Sequence, residues 1–205
     1  EDAGLQQTLR QSVRIDRVLE QLSGQLQTAA QAREVTLALE SIPACGVSSD
    51  PDRLRRLFFN LLDNALKYTP PSGTVRIRGV LRQDRIEVIV SDSGVGIPAA
   101  HLPHVCERFY RVDPARSQAT DGTGLGLAIC RAIVEAHGGT LHIESAAGQG
   151  TVVTVSLPID TMCDAAIIAP PAIGERSRGA DLPQNTSISG SREAPEDAVR
   201  VMLST

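Results

Sequence analysis

The sequence has no tryptophan, only two tyrosines and three phenylalanines among 205 residues, and an aromatic fraction of 2%. A chain this poor in rings cannot build the stacking platforms that hold single-stranded nucleic acid. Nor does it carry a Lys/Arg run to grip a phosphate backbone: 20 basic residues against 24 acidic ones leave a net charge of -4, so nucleic acid is excluded as the expected partner. The four cysteines, Cys45, Cys106, Cys130 and Cys163, form no CxxC pair, which argues against a zinc ribbon or a redox motif and for reduced, buried thiols in a cytoplasmic setting. No apolar run approaches the roughly 18 residues that span a bilayer. The N-terminus lacks the charged-then-apolar pattern of a targeting peptide. No membrane contact by this chain is expected, and any anchor in the inner membrane would lie upstream. What is present is an apolar fraction of 41%, typical of a chain that buries a core.

Residues 5–33 are rich in Gln, Leu, Arg and Ala, with Val18, Leu19, Leu22 and Leu26 near helical spacing; an amphipathic helix is expected. Val35 to Glu40 alternates as a half-buried strand does. The strongest helix signal follows, with Asp50 as N-cap, Pro51 at the first helical position, an apolar stripe of Leu54, Phe58, Leu61 and Ala65, and a stop at Pro70-Pro71. Strands over 74–81 and 85–91 form a hairpin across Arg82-Gln83-Asp84. Residues 98–122 read as a long polar loop with one short helix near His101 to Cys106, the length of a functional lid. A helix over 125–137 ends at Gly138-Gly139. A last hairpin joins 140–145 to 151–157. The expected class is α+β, a two-layer α/β sandwich with a mixed, mostly antiparallel sheet covered by helices on one face. Residues 1–14 read as the end of a linker, 15–158 as the domain, and 159–205 as a disordered tail, being Pro-, Gly- and Ser-rich without an aromatic, with a short helix over 196–203 as the one element in it.

Three stretches could carry chemistry. Asn60, Asn64 and Lys67 fall at i, i+4 and i+7 on one face of the first long helix, beside Tyr68. Amide oxygens and an ammonium along one stripe can seat Mg²⁺ and phosphate, because magnesium takes oxygen ligands; a solvated polar face has the same pattern. Asp92 ends a strand before Ser93-Gly94-Val95-Gly96-Ile97-Pro98, whose glycines permit a ligand to approach the backbone. A carboxylate there only accepts hydrogen bonds, so it suits the amino group of adenine and repels the carbonyl of guanine. Asp satisfied by local backbone donors looks alike. Gly122-Thr123-Gly124-Leu125-Gly126-Leu127 enters a helix directly, where free N–H groups favour phosphate. It is neither a Walker loop nor a dinucleotide fingerprint, and such an entry serves equally for packing. Between the last two lies a basic stretch with Arg108, Arg111 and Arg116.

Taken in order, these residues resemble the sensor histidine kinases of two-component systems, and in particular their ATP-binding catalytic domain of Bergerat fold, shared with gyrase. Asn60-Leu-Leu-Asp-Asn64-Ala-Leu-Lys67-Tyr68-Thr is similar to the N box, Asp92-Ser-Gly94-Val-Gly96-Ile97 to the first glycine box, Glu107-Arg-Phe109-Tyr110-Arg111-Val-Asp to the F box, Gly122 to Leu127 to the second glycine box, and Gly148-Gln-Gly150-Thr151 to the final glycine turn. The resemblance covers about Ile15 to Pro158. It implies that Asn64, helped by Asn60, holds Mg²⁺, that Lys67 and Arg111 meet the phosphates of ATP, that Tyr68 lies against adenine while Asp92 reads its amino group, and that Phe109 seats the lid. Superfamily hydrolases place a glutamate base where this chain has Asn60, and an amide cannot take a proton from water. The resemblance therefore implies slow hydrolysis and phosphate transfer to histidine by positioning and charge stabilisation.

Two departures stand out. Cys106 replaces the apolar aromatic usual before Glu-Arg-Phe, a change that a small hydrophobe tolerates. The phosphoacceptor His-Glu or His-Asp motif is missing: His101, His104, His137 and His142 all lie within the ATP-binding region, and His137, before Gly-Gly, reads as a capping group. The expected partners are a histidine-bearing dimerisation domain, in the same protein or in trans, and a response regulator downstream. The chain itself is expected to be monomeric and not to phosphorylate itself. A nucleotide-sensing module without phosphotransfer and a protein-serine kinase of the same superfamily are the competing readings.

Overall fold

The structure, a computed structural model, describes residues 10–112 and 123–160 and the backbone of 199–203. Helix α2 runs Pro51–Tyr68, and its bounds follow from local chemistry: the Asp50 side chain accepts from Asp52 N at 2.9 Å and Pro51 occupies the first turn. At the other end Thr69 leaves helical geometry, with its hydroxyl donating to Ala65 O at 2.6 Å. Leu54, Leu57, Phe58, Leu61, Leu62, Ala65 and Leu66 bury one broad face, as the 3.6-residue period requires of a helix lying on a core. Helix α1 spans Ile15–Ala32 and buries Ile15, Leu19, Leu22, Leu26 and Ala30; α3 spans Gly126–Ala136 and buries Cys130, Ile133 and Val134.

These helices cover a six-stranded sheet of order β2-β4-β5-β7-β6-β8, formed by β2 (Thr36–Leu39), β4 (Thr74–Arg82), β5 (Arg85–Asp92), β6 (Thr140–Ser145), β7 (Thr151–Pro158) and β8 (Val199–Leu203). Every neighbouring pair is antiparallel except β2 with β4, whose parallel pairing requires a crossover, and α2 lies within it. Inward positions alternate along the strands as period two demands: Val75 and Ile77, Ile86, Val88 and Val90, Leu141 and Ile143, Val153, Val155 and Leu157 are buried against the helices. The α+β sandwich with a mixed, mostly antiparallel sheet is thus as expected. A separate two-stranded ladder pairs β1 (Gln11–Arg14) with β3 (Gly46–Ser49).

Three local expectations are corrected. The first helix begins at Ile15, because Gln11–Arg14 pair with β3 instead of extending α1; tertiary pairing overrides helix propensity there. The stretch after Pro98 forms a 3-10 turn at Ala99–His101 followed by turns, not a helix over 101–106. Val199–Leu203 form a strand against β6 where a short helix was expected. Residues 161–198, with Cys163, lie outside the described residues. Cys45, Cys106 and Cys130 are buried free thiols, and none of the helices among the described residues is long and apolar enough to cross a membrane. His137 caps α3 as anticipated: its Nδ1 lies 2.6 Å from Ile133 O while Nε2 lies 2.6 Å from the buried Ser49 hydroxyl, tying α3 to β3.

Candidate functional site

Asp92 stands at the end of β5, half-buried. Its Oδ1 accepts from Gly94 N at 2.8 Å and from Thr151 N, at the start of β7, at 3.2 Å. Burial pushes the carboxyl above its ordinary 3.8, and the two backbone donors pull the other way. Gly94 is buried because a Cβ there would lie 2.5 Å from Tyr68 O, and that same carbonyl accepts from Val95 N at 3.1 Å. The end of α2 and the glycine turn are therefore in direct contact. Gly96 holds φ +66 and a Cβ would run into the carbonyl of Ala146, so only glycine fits on both counts.

The opposite end of the site is built from α2 and α3. A Cβ on Gly126, the first residue of α3, would meet Asn64 Nδ2 at 3.5 Å and Oδ1 at 3.9 Å, so the middle amide of the polar stripe faces the glycine-rich helix entry. One turn earlier, Asn60 Nδ2 is buried without a hydrogen-bond partner and its amide lies beside the Cys130 thiol. Lys67 sets its ammonium 5.7 Å from the centre of the Tyr68 ring, and Tyr68 is 46% exposed. A separate shallow depression between α2 and α3 is lined by Arg53, Arg56, Ile129, Ala132 and Ile133, none of them among the predicted site residues.

Phe109 has a left-handed backbone at φ +65, its N donates to Gly124 O at 2.9 Å, and the residue is 70% exposed. Gly124, at φ +68, must stay glycine since a Cβ would lie 2.8 Å from the Phe109 carbonyl carbon. Tyr110 is half-buried with its hydroxyl 2.7 Å from His101 Nδ1. Arg111 is half-buried, Thr123 exposed, and Leu125 and Leu127 half-buried. Gly122 and Arg116 fall outside the described residues. Cys106 is buried, and burial pushes its thiol up to about 11.

Contacts thus link Tyr68 to Gly94, Asp92 to Thr151, Asn64 to Gly126 and Phe109 to Gly124, two of them made by α2. Sequence reasoning missed Ser145. Its hydroxyl accepts from Ile97 N at 2.8 Å, donates to Gly150 O at 2.7 Å and lies 3.0 Å from Thr151 Oγ1, stitching the glycine turn to the β6–β7 hairpin. A polar residue at an inward position of an alternating strand was the available signal.

Residues 49–161 match the family described as histidine kinase-, DNA gyrase B-, and HSP90-like ATPases. The chain belongs to that family. Within it, the chain is similar to sensor histidine kinases: it is 38% identical over 142 residues to the phosphate regulon sensor protein PhoR of Pseudomonas aeruginosa, covering 69% of this chain and 32% of PhoR. A mycobacterial sensor histidine kinase, MprB, superimposes with a TM-score of 0.62 at 31% identity, over 73% of this chain and 97% of the solved one. Full-length ShkA in complex with AMPPNP gives a TM-score of 0.65 at 28% identity, over 75% of this chain and 32% of ShkA. The chain spans about a third of the length of PhoR. It is a histidine-kinase-type ATP-binding domain of the two-component class.

Proposed function

We propose that this domain binds Mg-ATP and passes the γ-phosphate to a histidine nitrogen on a dimerisation and phosphoacceptor domain, carried upstream in the same protein or by a separate polypeptide, with a response regulator receiving it next. The observation that supports this reading is the placement of the uncharged Asn64 amide against the glycine entry of α3, with Asn60 one turn earlier on α2 and the turn after Asp92 packed on the end of that helix at Tyr68. Asp92 offers its second oxygen to the amino group of adenine, Tyr68 lies against the ring, and Gly94, Gly96 and Ile97 let the base approach the backbone. Thr123 to Leu127 present helix-entry N–H groups to the phosphates.

The donor set fits magnesium. Among the described residues no cluster of three His, Cys, Asp or Glu side chains stands ready for a metal, but amide oxygens with water and the nucleotide's own phosphates are the partners this ion accepts. Asn64, with Asn60, would hold it, and the ion would neutralise charge on the phosphate oxygens. Lys67 and Arg111 add positive charge where the transferring group becomes most anionic. The acceptor imidazole nitrogen would use its lone pair to form the N–P bond while the bond from phosphorus to the bridging oxygen breaks, its electron pair staying on that oxygen of the departing ADP. Asn60 cannot remove a proton from water, so hydrolysis competes poorly. The activity belongs in the cytoplasm, where ATP is supplied.

The test is transfer of ³²P from γ-labelled ATP to a supplied histidine-bearing acceptor domain. Acid-labile label on the acceptor, with slow phosphate release by the chain alone, is expected. Fast hydrolysis without an acceptor, or acid-stable label on serine, would overturn the reading.

A further inference from the structure

Without β8 the sheet would end at β6, and a bare edge presents a row of N–H and C=O groups that invites another extended chain. β8 occupies this edge. It runs antiparallel to β6 with Val199 opposite Ser145, Val201 opposite Ile143 and Leu203 opposite Leu141, while Arg200 falls opposite Glu144 and Met202 opposite His142. Ser145, Ile143 and Leu141 are the buried residues of β6. The alternation Val-Arg-Val-Met-Leu therefore sets its apolar Val199, Val201 and Leu203 opposite the buried residues of β6, and a slip of one residue would set Arg200 opposite one of them instead. Residues 159–198 separate β7 from β8, a connection long enough for the strand to leave and return without pulling on β7.

The register also sets Val199 beside the one β6 residue that reaches the nucleotide turn. Ser145 holds Ile97 N and Gly150 O through its hydroxyl, and Gly150 precedes Thr151, whose N–H holds Asp92. We propose that the outer edge of β6 is a docking site for an extended apolar segment, filled in cis by Val199–Leu203, and that its occupancy steadies Ser145 and so raises nucleotide affinity. The second half rests on the nucleotide reading above; the first half does not.

The test uses the full chain carrying Arg200→Pro together with Val201→Pro. Neighbouring N–H groups of a strand point to opposite edges, so one of the two prolines must remove a bond to β6. Amides of Leu141 to Ser145 that are not bonded to β7 should exchange with deuterium about tenfold faster or more, and equal rates would overturn the docking. The Kd for a non-hydrolysable ATP analogue should rise about fivefold or more, the lower end of ordinary coupling between linked sites; faster exchange with unchanged Kd would overturn the regulatory half. If the unaltered chain fails to bind the analogue, the nucleotide reading fails, while exchange still decides the docking. A synthetic peptide of residues 196–205 added to the proline variant should restore slow exchange. Val201→Asp, which sets a charge opposite the buried Ile143, should repeat the effect. A dimer of the unaltered chain by sedimentation, held by exchanged tails, would overturn cis occupancy.

Discussion

Replacing Asp92 by Asn changes one atom's charge and hydrogen-bonding sense while keeping shape. The amide oxygen can still accept from Gly94 N and Thr151 N, as Oδ1 does at 2.8 and 3.2 Å. Its NH₂ group then stands where the second carboxylate oxygen stood, facing the amino group of adenine donor to donor. A hydrogen bond to a charged acceptor contributes about 1.5–3 kcal/mol, so ATP affinity should fall roughly 10- to 150-fold at 1.4 kcal/mol per decade. GTP, whose carbonyl accepts, should lose less or gain. Titration calorimetry with both nucleotides measures the ratio, and a denaturant midpoint close to the parent's separates lost binding from lost folding. Burial holds the Asp92 carboxyl above 3.8, so the charged acceptor is lost as pH falls through that raised value. ATP affinity should begin to fail at higher pH than an ordinary aspartate would allow, more steeply than in the Asn variant. The same shift makes folding stability decline as pH rises from 3.8 through the raised value, because the native state binds the proton more tightly than the unfolded one. An ATP Kd within about threefold of the parent's, with fold intact, would refute the role given to Asp92.

Gly96→Ala combines φ +66 with a Cβ driven into the Ala146 carbonyl, whereas Gly138→Ala has φ +63 and nothing within 4 Å; urea midpoints should show about 1–2 kcal/mol lost at Gly138 and clearly more at Gly96, and equal losses would refute the steric argument. His137→Ala removes two short hydrogen bonds, to Ser49 Oγ and to Ile133 O, and leaves the Ser49 hydroxyl only its bond to Asp50 O; it should lower unfolding free energy by about 1–3 kcal/mol in the same assay. Burial pushes the thiols of Cys106 and Cys130 up to about 11 and about 12. With Cys163→Ser in place, a thiol reagent at pH 8 should therefore label the native chain only as fast as it unfolds. Stability from these neutral thiols should be lost as pH rises from 9.0 toward those values.

Elements whose ends carry their own chemistry were legible. The Asp50-Pro51 start and Pro70-Pro71 stop of α2 agree with the structure, and the hairpins at 82–85 and 145–151 are bounded by turn residues. β1 and β3 escaped because four residues each, buried only at Val13 in the first and at Gly46, Val47 and Ser49 in the second, offer no alternation to read; they exist because they pair with each other. β8 escaped similarly, since Val-Arg-Val-Met-Leu declares itself only beside β6. Of the site, the motifs were local and visible. The parts that depend on three-dimensional contact were not: the Ser145 hydroxyl reaching Ile97 from 48 positions away, the Asn60 amide beside Cys130, and His137 bonded to Ser49.

Three of the contacts that join the candidate site link distant parts of the chain: Tyr68 with Gly94, Asn64 with Gly126, Asp92 with Thr151. No early stretch emerging from a ribosome can hold the ligand, because the last partner arrives only with β7. Nucleotide should accordingly protect the whole domain against unfolding and proteolysis at once, by about 2.7 kcal/mol at a concentration a hundredfold above its Kd, rather than stiffening one flap.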